Sequence, residues 1–294
     1  MAVRIITEAC ADMPKDYVER MGVKVLPLTV NMDGLPFQYN GVDSYEGEIS
    51  LKEFYVRVRE GKMPSTAQAT PESFKEAFME VLNAGDEAIY LAFSSAMSGC
   101  FNSANIAKNE IVEEMPEAAD RIALVDTLCA SLGQTMLIEL IARQRDKGAS
   151  LKELVEYAEA NKMRMHHWVA VDDLNHLRRG GRVSGASAFF GTLLAIKPVI
   201  HVSPEGKLIP KEKAQGRKKS MNAIVDHMVA DGADPDAPVF IVHGDCLDEA
   251  ELLAKMVEKK TGRKVDMMNC LGPVVGAHAG PGTLALFYAS DAER

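Results

Sequence analysis

The chain has 294 residues, of which 47% are hydrophobic, and a formal net charge of −9. This length exceeds the usual size of one hydrophobic core, so two domains of roughly 100–200 residues each are expected. The negative charge, without any basic tract, argues against a nucleic-acid partner.

The cysteines and the N-terminal residues bear on the compartment. The chain has five widely spaced cysteines and no CxxC pair: Cys10, Cys100, Cys129, Cys246 and Cys270. This pattern predicts neither a disulfide framework nor a zinc site. The chain starts directly with a strand-like run, without the charged and apolar regions of a signal peptide, and no apolar run approaches the length of a membrane span. We therefore expect a protein of the reducing cytoplasm with no integral membrane association.

The first third of the chain alternates short apolar runs with amphipathic segments. Strands are predicted over 3–6 and 23–30, with a helix over 15–21 that begins after Pro14. The polar, glycine-bearing stretch 31–47 predicts a hairpin or a long excursion.

Two helices follow, separated by a hydroxyl-rich loop. The first is predicted over 50–60, and the second starts at Thr70. Thr66 lies in the loop between them, which is bracketed by prolines. From these residues alone we interpret it as part of an ordinary surface loop.

The sequence is organised around the apolar run 88–93 and the loop after it, which holds Ser94, Ser95, Ser98 and Gly99. An apolar run without polar alternation is typical of a strand buried on both faces of a parallel sheet. Ligands of open α/β sheets bind beyond the carboxyl ends of strands, where hydroxyls and helix N–H groups can hold an anion. The loop has no lysine or arginine, so a single carboxylate suits it better than a string of phosphates. Helix capping by serine explains the same residues equally well.

The next elements complete a first domain. A fourth strand over 122–125 ends at Asp126, and a long helix with buried first turns is predicted over 128–147. Repeated strand, loop and helix predict a doubly wound domain with a mainly parallel sheet. The clearest break follows at residues 148–150, before a helix to Asn161. We accordingly predict an N-terminal domain over 1–162 and a C-terminal domain over 163–294.

The second half of the chain has a different pattern of predicted strands and helices. A tight turn at 204–206 joins two predicted strands as a hairpin, so its sheet should be mixed. The predicted strands cover 168–171, 198–202, 207–210, 239–242, 265–268 and 283–288. Two short helices between the first two strands and longer helices over 220–229 and 248–260 complete an α/β domain.

Arginines and a histidine beside glycines are the candidate polar groups of this half. The segment 174–184 carries Arg182 next to a double glycine, an arrangement that suits a hold on a carboxylate or phosphate. Arg217 begins a helix, against the preference of the helix dipole, which indicates a partner surface or an ion pair. His278 lies in a glycine-rich stretch and should face a cleft, where an imidazole can donate to an anion or act as an acid or base.

These residues leave a catalytic interpretation open. A serine of the Ser94 to Ser98 loop, His278 and Asp126 could form a nucleophile, base and acid for acyl or phosphoryl transfer. The sequence has no GxSxG, GxxxxGK[ST] or HExxH motif to support an enzyme. A pure interaction scaffold is a third alternative, and it predicts no cavity.

Several segments occur together in one order along nearly the whole chain. They are 5–14, the Thr66 loop, 94–104, Asp126-Thr127, 177–184 with 193–198, 217–219, and 276–282. Together they resemble the DegV family.

The resemblance implies two α/β domains with one long-chain fatty acid bound between them, and no other cofactor. It also implies that Thr66, a serine of the Ser94 to Ser98 loop and His278 hold the carboxylate. A kinase partner that phosphorylates the carboxyl group is expected for some members, and Arg182 and Arg217 would then face that partner.

The chain departs from the usual family pattern at two places. Glu8-Ala9-Cys10 stands where Asp-Ser-Thr is usual, and Cys100 stands where threonine is common. The 16 methionines favour a lipid modestly, because thioether side chains adapt to irregular apolar contents.

Overall fold

The computed structural model describes residues 1–41, 49–183 and 196–294. Its strands are β1 (Val3–Glu8), β2 (Val23–Leu26), β3 (Leu28–Met32), β4 (Leu35–Tyr39), β5 (Ser65–Ala67), β6 (Glu87–Ala92), β7 (Ile122–Asp126), β8 (Met165–Ala170), β9 (Ile196–Val202), β10 (Leu208–Gln215), β11 (Phe240–His243), β12 (Met267–Cys270) and β13 (Leu284–Ala289). Its α-helices are α1 (Lys15–Met21), α2 (Leu51–Arg59), α3 (Pro71–Asn83), α4 (Cys100–Glu114), α5 (Ser131–Asp146), α6 (Leu151–Asn161), α7 (Leu174–Arg179), α8 (Arg217–Ala230), α9 (Leu247–Thr261) and α10 (Pro273–Ala279).

The described strands form three sheets. A four-stranded parallel sheet has the order β2-β1-β6-β7, and a six-stranded mixed sheet has the order β10-β9-β8-β13-β11-β12. In the mixed sheet only β11 and β12 are parallel. The predicted α/β class, with a parallel N-terminal and a mixed C-terminal sheet, is confirmed. All four parallel strands precede Lys162 and the mixed sheet follows it, so we retain the division at 162/163 as a proposal.

The third sheet, β4-β3-β5, corrects one predicted strand. The run 23–30 is not continuous, because Pro27 separates β2 of the parallel sheet from β3 of the small antiparallel sheet. Proline lacks the N–H that a continued ladder requires. The predicted hairpin is present as β3-β4, with Asp33 and Gly34 both at positive φ, as a tight two-residue turn requires. Residues 42–48 of that stretch lie outside the described part of the chain.

Helix starts largely follow the capping signals. Thr70 accepts the N–H of Ser73 at the start of α3, and Ser150 and Glu153 form a complete capping box at α6.

In the second half the sequence did not predict one helix: α10 occupies the glycine-rich stretch that carries His278. Of the two short helices predicted before β9, α7 is present and the rest of that segment falls in 184–195, outside the described residues. None of the described helices is both long and apolar enough to cross a bilayer.

Strand alternation gives the mixed sheet two different faces. On β8, Trp168 packs with Val199 and Ile224 in a core beneath α8 and α9. His167 and Val169 of the same strand point to the opposite face, where the sheet meets the N-terminal half. Helix α5 lies in that interface, contacting β6 on one side and β8, β11 and β13 on the other. It is buried almost all round, as expected for a helix enclosed by two layers.

Candidate functional site

A cavity of about 340 Å³ lies between the mixed sheet and the N-terminal half. Most of its wall is apolar. The described lining comprises Cys10, Leu28, Thr66, Ala67, Gln68, Phe93, Met97, Ser98, Gly99, Ala130, Ser131, His167, Val169, Leu177, Arg182, Val202, Leu208, Val242, Leu271, Val274, Val275, His278, Ala279, Thr283, Ala285 and Phe287. Such a cavity, apolar with a few convergent polar groups, is the usual form of a small-molecule site.

Thr66 and His278 meet at one part of this wall. Thr66 lies in β5, paired with Val30, and α10 packs against β3 and β5. This packing brings Thr66 Oγ1 within 2.8 Å of His278 Nε2. If Nε2 carries the ring proton and donates it to Oγ1, the threonine hydroxyl is left to donate to an anion. The pair can therefore hold a carboxylate oxygen.

The charge state of His278 fits this role. Burial, with a further contribution from the Arg182 guanidinium, lowers the pKa of His278 to about 4. The imidazole is consequently neutral near pH 7, and Arg182 supplies the positive charge beside it. Arg182 itself is held by the carbonyl oxygens of Gly180 and Met97.

Ser98 and Gly99 bring the N-terminus of α4 to the same cavity. Gly99 precedes the first residue of this 15-residue helix, and Ser98 Oγ accepts the N–H of Cys100 at 3.3 Å. The partial positive charge of a helix N-terminus favours an anion. A Cβ on Gly99 would lie 1.9 Å from Gln68 Oε1, so the glycine permits the close approach of Gln68. The structure thus groups Thr66, Ser98, Gly99, Arg182 and His278.

Ser94 and Ser95 are placed elsewhere. Ser94 is fully buried and donates to the carbonyl of Gly206 at 2.8 Å, and Ser95 is exposed. Asp126 accepts the N–H groups of Ser95 and Leu128, each at 3.1 Å. Among the described contacts, His278 is hydrogen-bonded to Thr66 and to no serine of the loop. The serine, histidine and aspartate of the catalytic alternative are therefore not assembled.

Arg182 and Arg217 also differ in position. Arg182 lies where the cavity joins a second opening of about 300 Å³, which we call the vestibule. The vestibule is lined by Lys62, Met63, Pro64, Ser65, Thr66, His176, Arg179, Gly180, Arg182, Ala277 and His278. Arg217, with 14% of its side chain exposed, instead bonds Glu249 at 2.7 Å and the carbonyl of Gly282 at 2.6 Å. It joins loops of the mixed sheet and lines neither opening.

Two buried acids brace the elements around the cavity. Glu8 accepts from the Tyr90 hydroxyl and from the N–H of Phe93, where the serine loop begins. Asp12 accepts from Ser131 Oγ at 2.6 Å and from the N–H of Gly272 at 2.9 Å, just before α10. The family departure at residue 8 thus supplies a structural contact, while Cys10 lines the cavity directly.

Replacing Glu8 by glutamine should change how stability depends on pH. Burial raises the pKa of Glu8 to about 7 from its usual 4.5, so the folded protein keeps a proton that the unfolded chain releases between these values. The stabilising contribution of this acid is complete below pH 4.5 and is lost as the pH rises through 7. From pH 4.5 to 8.5, Glu8→Gln should therefore gain about 3 kcal/mol in unfolding free energy relative to the wild type. Urea unfolding at both pH values measures this, and a difference that does not change with pH would refute it.

Sequence reasoning missed several lining residues. Gln68, Ser131 and His167 were not proposed as site residues, and most apolar lining positions were left unassigned. Strand alternation gave a usable signal for His167 and Ala285, since both face away from the Trp168 core. No group of three His, Cys, Asp or Glu side chains in the described part of the chain is arranged to hold a metal ion.

Comparisons with known proteins identify the family. Residues 2–291 match the profile described as "Uncharacterised protein, DegV family". A DegV domain-containing protein of Clostridium perfringens is 40% identical over 291 residues, covering 99% of this chain and 98% of its own length. 

Solved structures show the same fold over the full length. A DegV family protein of Thermus thermophilus, described by its fatty acid binding, matches with a TM-score of 0.86 and 31% identity, over 99% of this chain and all of its own. A DegV lipid binding protein of Thermotoga maritima matches with a TM-score of 0.84 and 26% identity, over the whole of both chains. The chain belongs to the DegV family.

Proposed function

We propose that this protein binds one long-chain fatty acid in the cavity between its two large sheets, and that it is a carrier, not an enzyme. The observation that carries the proposal is the composition of the cavity wall. A predominantly apolar lining includes a polar group formed by Thr66, Ser98, Gly99, Arg182 and His278. The relatives from Thermus thermophilus and Thermotoga maritima, described as binding fatty acid and lipid, support it.

The two ends of the ligand have different tasks in this proposal. Each CH₂ of the acyl tail that leaves water contributes about 0.8 kcal/mol, so the tail supplies most of the affinity. The carboxylate needs compensation for its lost hydration. The Thr66 hydroxyl, the N-terminus of α4 and the charge of Arg182 provide it and fix the orientation of the ligand.

We extend the proposal to a kinase partner that phosphorylates the bound carboxyl group. Support comes from the vestibule, which shares Thr66, Arg182 and His278 with the cavity and adds two exposed cations. These are Arg179 and Lys62, of which Lys62 is also ion-paired with Asp33 at 3.0 Å. A carboxylate held there is reachable from outside, and the cations suit an incoming phosphoryl group. Arg217 lines neither the cavity nor the vestibule, so it is not part of this surface.

Native mass spectrometry of the gently purified protein tests the binding proposal. We expect a 1:1 adduct with the mass of one long-chain fatty acid, which disappears after delipidation and returns when fatty acid is added. A protein that carries no adduct and takes up none would contradict the proposal. Turnover of model esters that is abolished by Ser98→Ala would instead favour the enzyme alternative.

A further inference from the structure

Gln68 is a polar residue of the cavity wall that does not belong to the group proposed above to hold the carboxylate. It directly follows β5, two positions after Thr66, and among the described residues it lines the cavity and not the vestibule. The residue is exposed, so a ligand can reach its amide. A glutamine amide has two N–H donors, which makes it able to contribute to holding an anion.

The amide of Gln68 lies against the start of α4. Its Nε2 donates to Ser103 Oγ, near the N-terminus of that helix, at 2.8 Å. The Oε1, Cδ and Nε2 atoms all lie within 2.9 Å of the position that a Cβ on Gly99 would take. The amide therefore rests on Gly99, which lines the cavity together with Thr66 and Ser98.

One amide hydrogen of Gln68 is available to a ligand. Nε2 carries two hydrogens, and the bond to Ser103 Oγ uses one of them. Within the described part of the chain, Gln68 has no other hydrogen-bond partner. A carboxylate offers about four lone-pair positions, and the Thr66 hydroxyl would occupy only one of them. The wall beside Gly99 thus presents a donor to a ligand that still has acceptor positions to fill.

We propose that Gln68 is a further ligand-binding residue, whose second amide hydrogen is donated to the carboxylate and contributes to the preference for a charged head group. A hydrogen bond to a charged acceptor is about twice as strong as one to a neutral acceptor, so the contact favours an acid over an alcohol of the same chain. Glycine at position 99 makes the contact possible, since a side chain there would displace the amide. This inference rests on the proposed function and adds a residue that determines its specificity.

Binding of stearic acid and of octadecanol to the delipidated protein tests the inference. Methionine has the length of glutamine without its amide, so Gln68→Met should bind stearic acid about tenfold more weakly and change octadecanol binding much less. Gln68→Glu keeps the shape, removes both N–H donors and adds a negative charge, so its loss of stearic acid affinity should be larger still. The ratio of the two dissociation constants is the readout, because a loss of packing would weaken both ligands alike.

Gly99→Ala disturbs the same contact from the other side. The backbone at Gly99 has a φ of −82°, which alanine adopts readily, but the added methyl group displaces the amide of Gln68. Gly99→Ala should therefore lower the affinity for stearic acid in the wild type. In a Gln68→Ala background, where the methyl group has room, it should cause little further loss.

Gln38 provides the matched control. It is an exposed glutamine whose Nε2 also donates to a hydroxyl, Thr29 Oγ1, at 2.8 Å, but it lines neither the cavity nor the vestibule as far as their described walls extend. Gln38→Met should leave both affinities unchanged. Equal weakening of both ligands in Gln68→Met, or no change in either, would overturn the inference and leave the proposed function intact. Failure of the wild type to bind stearic acid would overturn both.

Discussion

Thr66→Val and His278→Phe should each weaken fatty acid binding about tenfold to a hundredfold. A hydrogen bond to a charged group contributes about 1.5–3 kcal/mol. Thr66→Val removes the hydroxyl that donates to the carboxylate, and His278→Phe removes the nitrogen that orients this hydroxyl. Valine retains the branched shape of threonine without its hydroxyl, and phenylalanine retains a ring without the nitrogen that lies 2.8 Å from Thr66 Oγ1. Titration of delipidated protein with one long-chain fatty acid measures the effect.

The variant that combines Thr66→Val and His278→Phe shows whether the two residues act together or independently. If His278 acts by orienting the Thr66 hydroxyl, the double variant should bind fatty acid with nearly the same affinity as the weaker-binding single variant. Additive losses would show that the two residues contribute separately. Ser95→Ala is the control within the predicted serine loop, because Ser95 is exposed and lies outside the cavity lining, so its affinity should equal that of the wild type.

Ala285→Phe should abolish fatty acid binding altogether. Ala285 lies in the middle of the apolar wall, on β13, with Val169 of β8 and Val242 of β11 as its neighbours across the sheet. A phenyl ring at this position projects into the cavity of about 340 Å³ and occupies the space of the tail.

Thermal unfolding with and without ligand provides the measurement. A ligand at 100 times its Kd stabilises the wild type by about 2.7 kcal/mol, and Ala285→Phe should show no such gain. Ala160→Phe makes the same exchange at an exposed position of α6 and should keep the full gain. Undiminished stabilisation of Ala285→Phe would show that the tail lies elsewhere.

The parts of the fold that local chemistry determines were predictable from the sequence. The run 88–93 is buried on both faces as β6, and the caps at Thr70 and Ser150 start α3 and α6. Pro27 was a local signal that the run 23–30 is divided into two strands, since a proline cannot donate to a sheet ladder. Helix α10 was harder to predict, because the glycines in and around it favour turns and the helix depends on packing against α2, α7, β3 and β5.

The site was less predictable because it depends on which distant residues meet. Thr66 looked like part of a surface loop, and its contact with His278 spans 212 positions of the chain. The hydroxyls of the serine loop were equivalent in sequence, yet only the structure separates Ser98 at the cavity from Ser94 on Gly206. The basic residues behaved similarly: Arg182 borders the cavity, whereas Arg217 is neutralised by Glu249.

A crystal structure of the protein with an added long-chain fatty acid would test the central claim most directly. The proposed site predicts an acyl chain in the cavity between the two large sheets, with a carboxylate oxygen within about 3 Å of Thr66 Oγ1. An empty cavity, or a ligand bound with its carboxylate away from Thr66, Ser98 and His278, would contradict it.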